Sequence, residues 1–283
     1  MPPRWLRLTL LLAVLLYATW AWLLYGGQRQ MLYPGAWMTR DTPPPPPPAD
    51  AVVLQLPTSA GRVEAWYLPP RVAGARVPAL LLFHGNNETV DRWLEETSTL
   101  RARGIAVLLT EYPGYGRSEG KPELANIMET ARAAYDALVA RPEVDPARII
   151  VMGHSLGGGP ASALTRERPV AALVLLSTYT RITEFAASYL LPAFLVEERW
   201  DNLSAVQAYA GPVFIAHAPA DPVVPFAHAE ALARAARRGR LVPLACTHGD
   251  CPPDWPAFEG ELVRWLAEAG VAVGTQPLHD ARR

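Results

Sequence analysis

The chain has 283 residues, of which 50% are hydrophobic and 19% charged. That balance suits a sizeable core and excludes intrinsic disorder. A net charge of −1 excludes the basic stripe that strong nucleic-acid binding needs, and two cysteines exclude a disulfide scaffold. The length exceeds one average domain but suits a single large α/β domain with appendages.

Arg4 and Arg7 precede an uncharged apolar run over residues 8–25, 18 residues long. A membrane-spanning helix takes roughly 17–25 such residues. Trp5, Trp20, Trp22 and Tyr25 cluster toward the two ends, as interfacial aromatics do. Residues 1–27 therefore read as a membrane anchor. Basic residues ahead of the run place the remainder on the non-cytoplasmic side, periplasmic or extracellular. A cleaved signal segment is the alternative, with Thr19-Trp20-Ala21 as the nearest small-x-small match. Residues 28–50 read as a linker. Its six prolines, 43–48, predict a stiff polyproline II spacer that lifts the following domain off the bilayer.

Residues 51–270 alternate short apolar runs with helical patterns. Residues 52–56 and 63–68 open as a pair of strands. Continuous apolar runs follow at 79–83, 105–109, 148–152, 171–176 and 213–216, with a last strand at 241–244. Runs that are continuous rather than alternating belong to strands covered on both faces. Helical patterns lie at 123–139, 156–168 and 227–238, and a final helix closes the domain. The alternation predicts an α/β fold with a mostly parallel, doubly wound sheet whose chemistry sits at the carboxyl ends of the strands. Residues 180–207 break the alternation with Phe185, Tyr189, Leu190, Leu191, Phe194 and Trp200 among them. They read as a short helical cap that roofs the site; an ordinary crossover helix is the plainer alternative. The tail, 271–283, is expected to be mobile.

Gly153-His154-Ser155-Leu156-Gly157 fits G-x-S-x-G between a strand and a helix. The serine of such a turn is strained, so its neighbours two before and two after must be small. Ser155 is the candidate nucleophile, and a serine hydroxyl needs a base. His248 follows the last strand, where the base belongs if the chain order is serine, acid, histidine. Asp221 follows the 213–216 strand and lies between them in the chain; it is the candidate acid that orients the imidazole. Asp250 is too near His248 in sequence to reach behind the ring, and Asp201 falls in the presumed roof. The N–H groups of Leu156 and Asn86 are the candidate oxyanion donors. This chemistry calls for no cofactor and no metal.

Phe83-His84-Gly85-Asn86, Glu111-Tyr112-Pro113-Gly114-Tyr115-Gly116-Arg117-Ser118 and the segments 153–159 and 221–225 resemble the α/β-hydrolase superfamily. Within it the chain looks most like the membrane-anchored Bem46-like group. The resemblance implies an α/β-hydrolase fold and a triad of Ser155, Asp221 and His248. It also implies ester or thioester substrates rather than amides. The chain departs from the pattern at His217-Ala218, where the family commonly has His-Gly, in its proline run, and in Cys246 and Cys251, which bracket His248. An oxidising exterior would let those two form a disulfide; two free thiols are the alternative. A metal site there lacks a fourth ligand.

The function expected is thus a membrane-anchored serine hydrolase acting on a small acyl ester or a lipid-like acyl substrate. An acyltransferase or a serine peptidase would use the same fold, and a non-catalytic binding module would need no intact triad.

Overall fold

A computed structural model describes residues 3–39, 44–72 and 76–271. Pro43 of the proline run and all of the expected mobile tail except Val271 lie outside the described residues.

Helix α1 runs over Arg4–Leu32, 29 residues, and so continues one and a half turns or more past the apolar run. Leu, Ala, Gln and Arg are good helix formers and sustain it. Pro34 follows its end, and a short helix α2, Gly35–Met38, comes next. Strands β1 (Val52–Thr58) and β2 (Gly61–Leu68) form a hairpin. Strand β3 (Val77–Phe83), short helices α3 (Trp93–Glu96) and α4 (Ser98–Ala102), and strand β4 (Ala106–Thr110) follow. Then come α5 (Leu124–Val139), β5 (Val144–His154), α6 (Gly158–Leu164) and β6 (Ala172–Leu176). The chain ends through α7 (Asn202–Ala208), β7 (Pro212–His217), α8 (Phe226–Ala235), β8 (Arg238–Pro243) and α9 (Trp255–Glu268).

The eight strands make one sheet in the order β1-β2-β4-β3-β5-β6-β7-β8. Only β2 runs against its neighbours; every pairing from β4 across to β8 is parallel. Side chains alternate between the two faces, as a pleated strand requires. In β3, Leu81 and Phe83 join a core with α5, α6, α7 and α8, while Leu80 and Leu82 join a second core with α3, α4 and α9. The sheet is therefore wound on both sides, and its parallel strands end together at one edge.

Three expectations change. The proline run is not a free spacer: Arg117 donates to the Pro44 and Pro45 carbonyls at 2.7 and 2.8 Å, laying the segment along the domain. The helical pattern of 227–238 stops at Ala235, and β8 already begins at Arg238. Arg238, Gly239 and Arg240 are exposed on this edge strand, so its apolar signal is confined to its second half. Residues 180–207 divide in two. Ile182–Tyr189 and Ala193–Leu195 are 3-10 turns above the strand ends, and Asn202–Ala208 is α7, packed beside α6 and α8.

Candidate active site

The sharp turn after β5 is fixed by its glycines. Ser155 sits in the left-handed region at φ 49°, where a side chain is strained. A Cβ on Gly153 would lie 2.3 Å from the Gly157 carbonyl oxygen, and one on Gly157 would lie 2.1 Å from the Phe83 oxygen. Neither position admits a larger residue without moving backbone. Thr178 donates to the Ser155 carbonyl at 2.6 Å and braces the turn.

Ser155 Oγ lies 3.0 Å from His248 Nε2, and His248 Nδ1 lies 2.7 Å from Asp221 Oδ2. The three residues come from the ends of β5 and β7 and from the loop between β8 and α9. Asp221 is held from behind: its Oδ1 accepts the N–H groups of Val223 and Val224 at 2.8 and 2.9 Å. Its side chain is fully buried, as is that of His217, whose Nε2 is 3.3 Å from Oδ2. Burial holds the His217 pKa below its ordinary value, and its Nε2–H donates to the Val224 carbonyl at 2.8 Å. Of the two rings beside Asp221 Oδ2, His248 is the nearer, at 2.7 Å against 3.3 Å for His217. Ala218, where the family has Gly, is fully buried and accepts the Asp221 N–H at 3.1 Å.

The loop of His248 is closed by a disulfide between Cys246 and Cys251. Asp250 turns back on this loop and accepts from the Thr247 N–H and hydroxyl, both at 2.6 Å. Asp201 caps α7 by accepting the Ser204 N–H at 2.9 Å and pairs with Arg181 at 3.1 Å. Both rival carboxylates are thus engaged away from His248.

Asn86 and Leu156 line one cavity with Ser155. Leu156 is the second residue of the 3-10 turn Ser155–Gly157, where a backbone N–H has no partner inside the turn. The Asn86 carbonyl accepts from Gly35 N and Tyr115 Oη at 3.2 and 2.8 Å, which anchors its loop. His84 itself is buried and structural. Burial opposes its charge, but the bond to Glu111 at 3.1 Å and that carboxylate's charge raise its pKa.

Several residues of the site carry no sequence motif. Glu88 accepts the Gly85 N–H at 2.7 Å and lies 3.1 Å from His154 Nδ1. Burial pushes the Glu88 carboxyl up, yet the His154 ring and the Gly85 N–H outweigh it and hold the group far below the usual carboxylate range. The His154 ring stacks 5.9 Å from that of His248. Glu198, only 2% exposed, accepts from Arg29 Nε, Tyr33 Oη and Leu124 N at 2.8, 2.9 and 2.6 Å. The cavity measures about 240 Å³ and is mostly apolar. One of its walls is α1, through Leu24, Gln28, Met31 and Leu32. Among the described residues no three His, Cys, Asp or Glu side chains gather as a metal site.

A family model for the alpha/beta hydrolase fold matches residues 78–202, from β3 to the start of α7. The chain has the α/β-hydrolase fold. Among solved structures this chain is similar to a thermophilic esterase from Thermogutta terrifontis. The TM-score is 0.68 at 19% identity, covering 84% of this chain and 99% of the esterase. At that identity the likeness is one of fold. Among curated relatives it is 32% identical over 197 residues to the alpha/beta hydrolase domain-containing protein WAV2 of Arabidopsis thaliana. It is also 30% identical over 189 residues to the lysophosphatidylserine lipase ABHD12 of Xenopus tropicalis. These matches take in 62% and 59% of this chain and only 64% and 48% of the two relatives.

Proposed function

We propose that this chain is a membrane-anchored serine hydrolase that cleaves carboxylic ester or thioester bonds through an acyl-enzyme. The observation that carries the reading is the unbroken relay from Ser155 Oγ through His248 to Asp221, at 3.0 and 2.7 Å. Ser155 attacks the acyl carbonyl as His248 Nε2 takes its proton. The backbone N–H groups of Leu156 and Asn86 receive the developing oxyanion. His248 then returns the proton to the leaving alcohol or thiol, and Asp221 stabilises the imidazolium between the two transfers. Water, deprotonated by His248, releases the acid and restores the serine.

Two similar proteins favour ester chemistry: the Thermogutta protein is an esterase, and the frog relative a lipase. Residues 1–27 act as a retained anchor, residues 28–50 as a linker, and residues 51–270 as the hydrolase domain with its cap within 180–207. Arg4 and Arg7 ahead of the apolar run and the disulfide beside His248 both favour the non-cytoplasmic side. Ser155→Ala keeps the Cβ and therefore the backbone strain, so the fold is retained. It is expected to abolish labelling by a fluorophosphonate probe and to lower kcat by about 10⁶-fold. Undiminished labelling overturns the assignment.

A further inference from the structure

Leu24, Gln28, Met31 and Leu32 recur at the spacing of one face of a helix, and that face of α1 lines the cavity above Ser155. Opposite stand Ile182 and Phe185 of the roof. The apolar helix is thus part of the pocket as well as a tether.

The roof is fastened to α1 along much of its length. Tyr17 Oη donates to the Leu190 carbonyl at 3.1 Å, and Trp20 Nε1 to the Tyr189 carbonyl at 3.0 Å. Gln28 Nε2 donates to the Leu195 carbonyl at 3.2 Å, and its Oε1 accepts the Glu197 N–H at 2.9 Å. Arg29 pairs with Glu198 at 2.8 Å. Tyr17 stands eight residues before Tyr25, the end of the uncharged run. At 1.5 Å per residue, the roof tip therefore lies about 12 Å back along that run.

A loop at that depth in hydrocarbon needs donors for its carbonyls, because lipid supplies none. Tyr17 and Trp20 are those donors; a loop facing water would not require them. The tip also presents Leu190 at 71% exposure and Phe194 at 73%, with Tyr189 beside them. Leu190 holds this place in the left-handed conformation at φ 53°, which a leucine adopts only at a cost. Large apolar side chains at a strained, exposed tip, continuous with a membrane-length helix, fit an acyl-chain environment.

We infer that the cavity takes a single-chain lipid ester, and that its acyl chain reaches Ser155 from within the bilayer between α1 and the roof. The cavity is smaller than the roughly 300–1,000 Å³ of many ligand sites, which suits one chain rather than two. Leu24 and Met31 then determine acyl specificity, and Tyr189, Leu190 and Phe194 hold the mouth in the membrane. This inference rests on the reading of Ser155 as nucleophile.

The test uses the full chain in phosphatidylcholine vesicles with p-nitrophenyl butyrate and p-nitrophenyl palmitate. Leu24→Trp and Met31→Trp, each confirmed folded by fluorophosphonate labelling, are expected to lower the palmitate-to-butyrate ratio of kcat/KM roughly tenfold. In a second arm, Phe194→Cys carries an environment-sensitive dye; the disulfide keeps Cys246 and Cys251 from reacting. Its emission is expected to shift to the blue on vesicle binding and to resist quenching by aqueous iodide. A ratio equal to wild type in both tryptophan variants overturns the inference, and so does a dye that iodide quenches freely. Were Ser155 not the nucleophile, neither ester would show Ser155-dependent turnover, while the dye would still report where the mouth lies.

Discussion

The two ends of the cavity are built by different means. At the end that holds the proposed triad, Ser155, Asp221 and His248 stand on strand ends and tight loops whose backbone admits few residue types. Gly153 and Gly157 leave no room for a Cβ, and Asp221 is gripped by two peptide N–H groups. At the far end, the wall is one face of α1 set against the 3-10 turns of the roof. Its side chains need only be apolar and of suitable size, and its fastening is a handful of polar bonds over the helix. Chemistry that demands fixed geometry is written in local motifs. Binding that demands shape is written in tertiary packing, which many sequences satisfy.

The sharpest way to break this contrast is Asp221→Asn. Asparagine keeps an Oδ1 for Val223 and Val224 but turns an NH₂ toward His248 Nδ1. That favours the tautomer with the proton on Nε2, which cannot accept the serine proton. Turnover of a soluble ester is expected to fall on the order of 10⁴-fold with thermal stability little changed. Wild-type turnover would move the acid elsewhere and undo the claim of a fixed reacting end.

A remote control sharpens the same contrast. Glu259 on α9 lies on the opposite face of the sheet, where burial pushes its carboxyl from 4.5 up to about 7. The folded protein therefore holds this proton more tightly than the unfolded chain does. Stability is intact below about pH 4.5 and declines as pH rises through 7. Glu259→Gln retains an acceptor for the Leu100 N–H and is expected to stabilise by up to about 3 kcal/mol at pH 8. At pH 4 it gains little, and kcat is unaffected at either pH. Denaturant midpoints across that range check it; a wild-type stability that stays flat from pH 4 to pH 8 refutes it.

The smallest effect concerns the loop of His248. Cys246→Ser with Cys251→Ser removes a short cross-link that contributes about 2 kcal/mol by loop-closure entropy. Thermal unfolding of the double variant measures this, and its loss of kcat is expected to be far smaller than that of Asp221→Asn. A larger loss would mean that the covalent loop, and not the bond to Asp221, fixes the ring.

The parallel strands were legible because burial on both faces leaves unbroken apolar runs, as in β3 and β6. The edge strand β8 was half-hidden, since Arg238 and Arg240 face water. The helix after Ser155 looked longer than α6 because its pattern runs on past Leu164 into turns. Chain order and strand ends marked Ser155, Asp221 and His248, and the structure brings them within hydrogen-bond reach of one another. Glu88 and Glu198 could not be found that way, because a lone carboxylate becomes significant only through what folding sets beside it. Nor could Leu24 and Met31, which in sequence are indistinguishable from the rest of an apolar helix. The prolines misled for a related reason: their stiffness was plain, but the partner Arg117 was not.

One consequence follows from the bonds that fasten α1 to the roof. A domain hung on a flexible stalk swivels and meets its surroundings in every orientation. Here Tyr17, Trp20, Tyr25, Gln28 and Arg29 pin the roof at five points along the helix. The opening above Ser155 accordingly keeps one compass bearing relative to the helix axis, and whatever orients that axis also steers the domain.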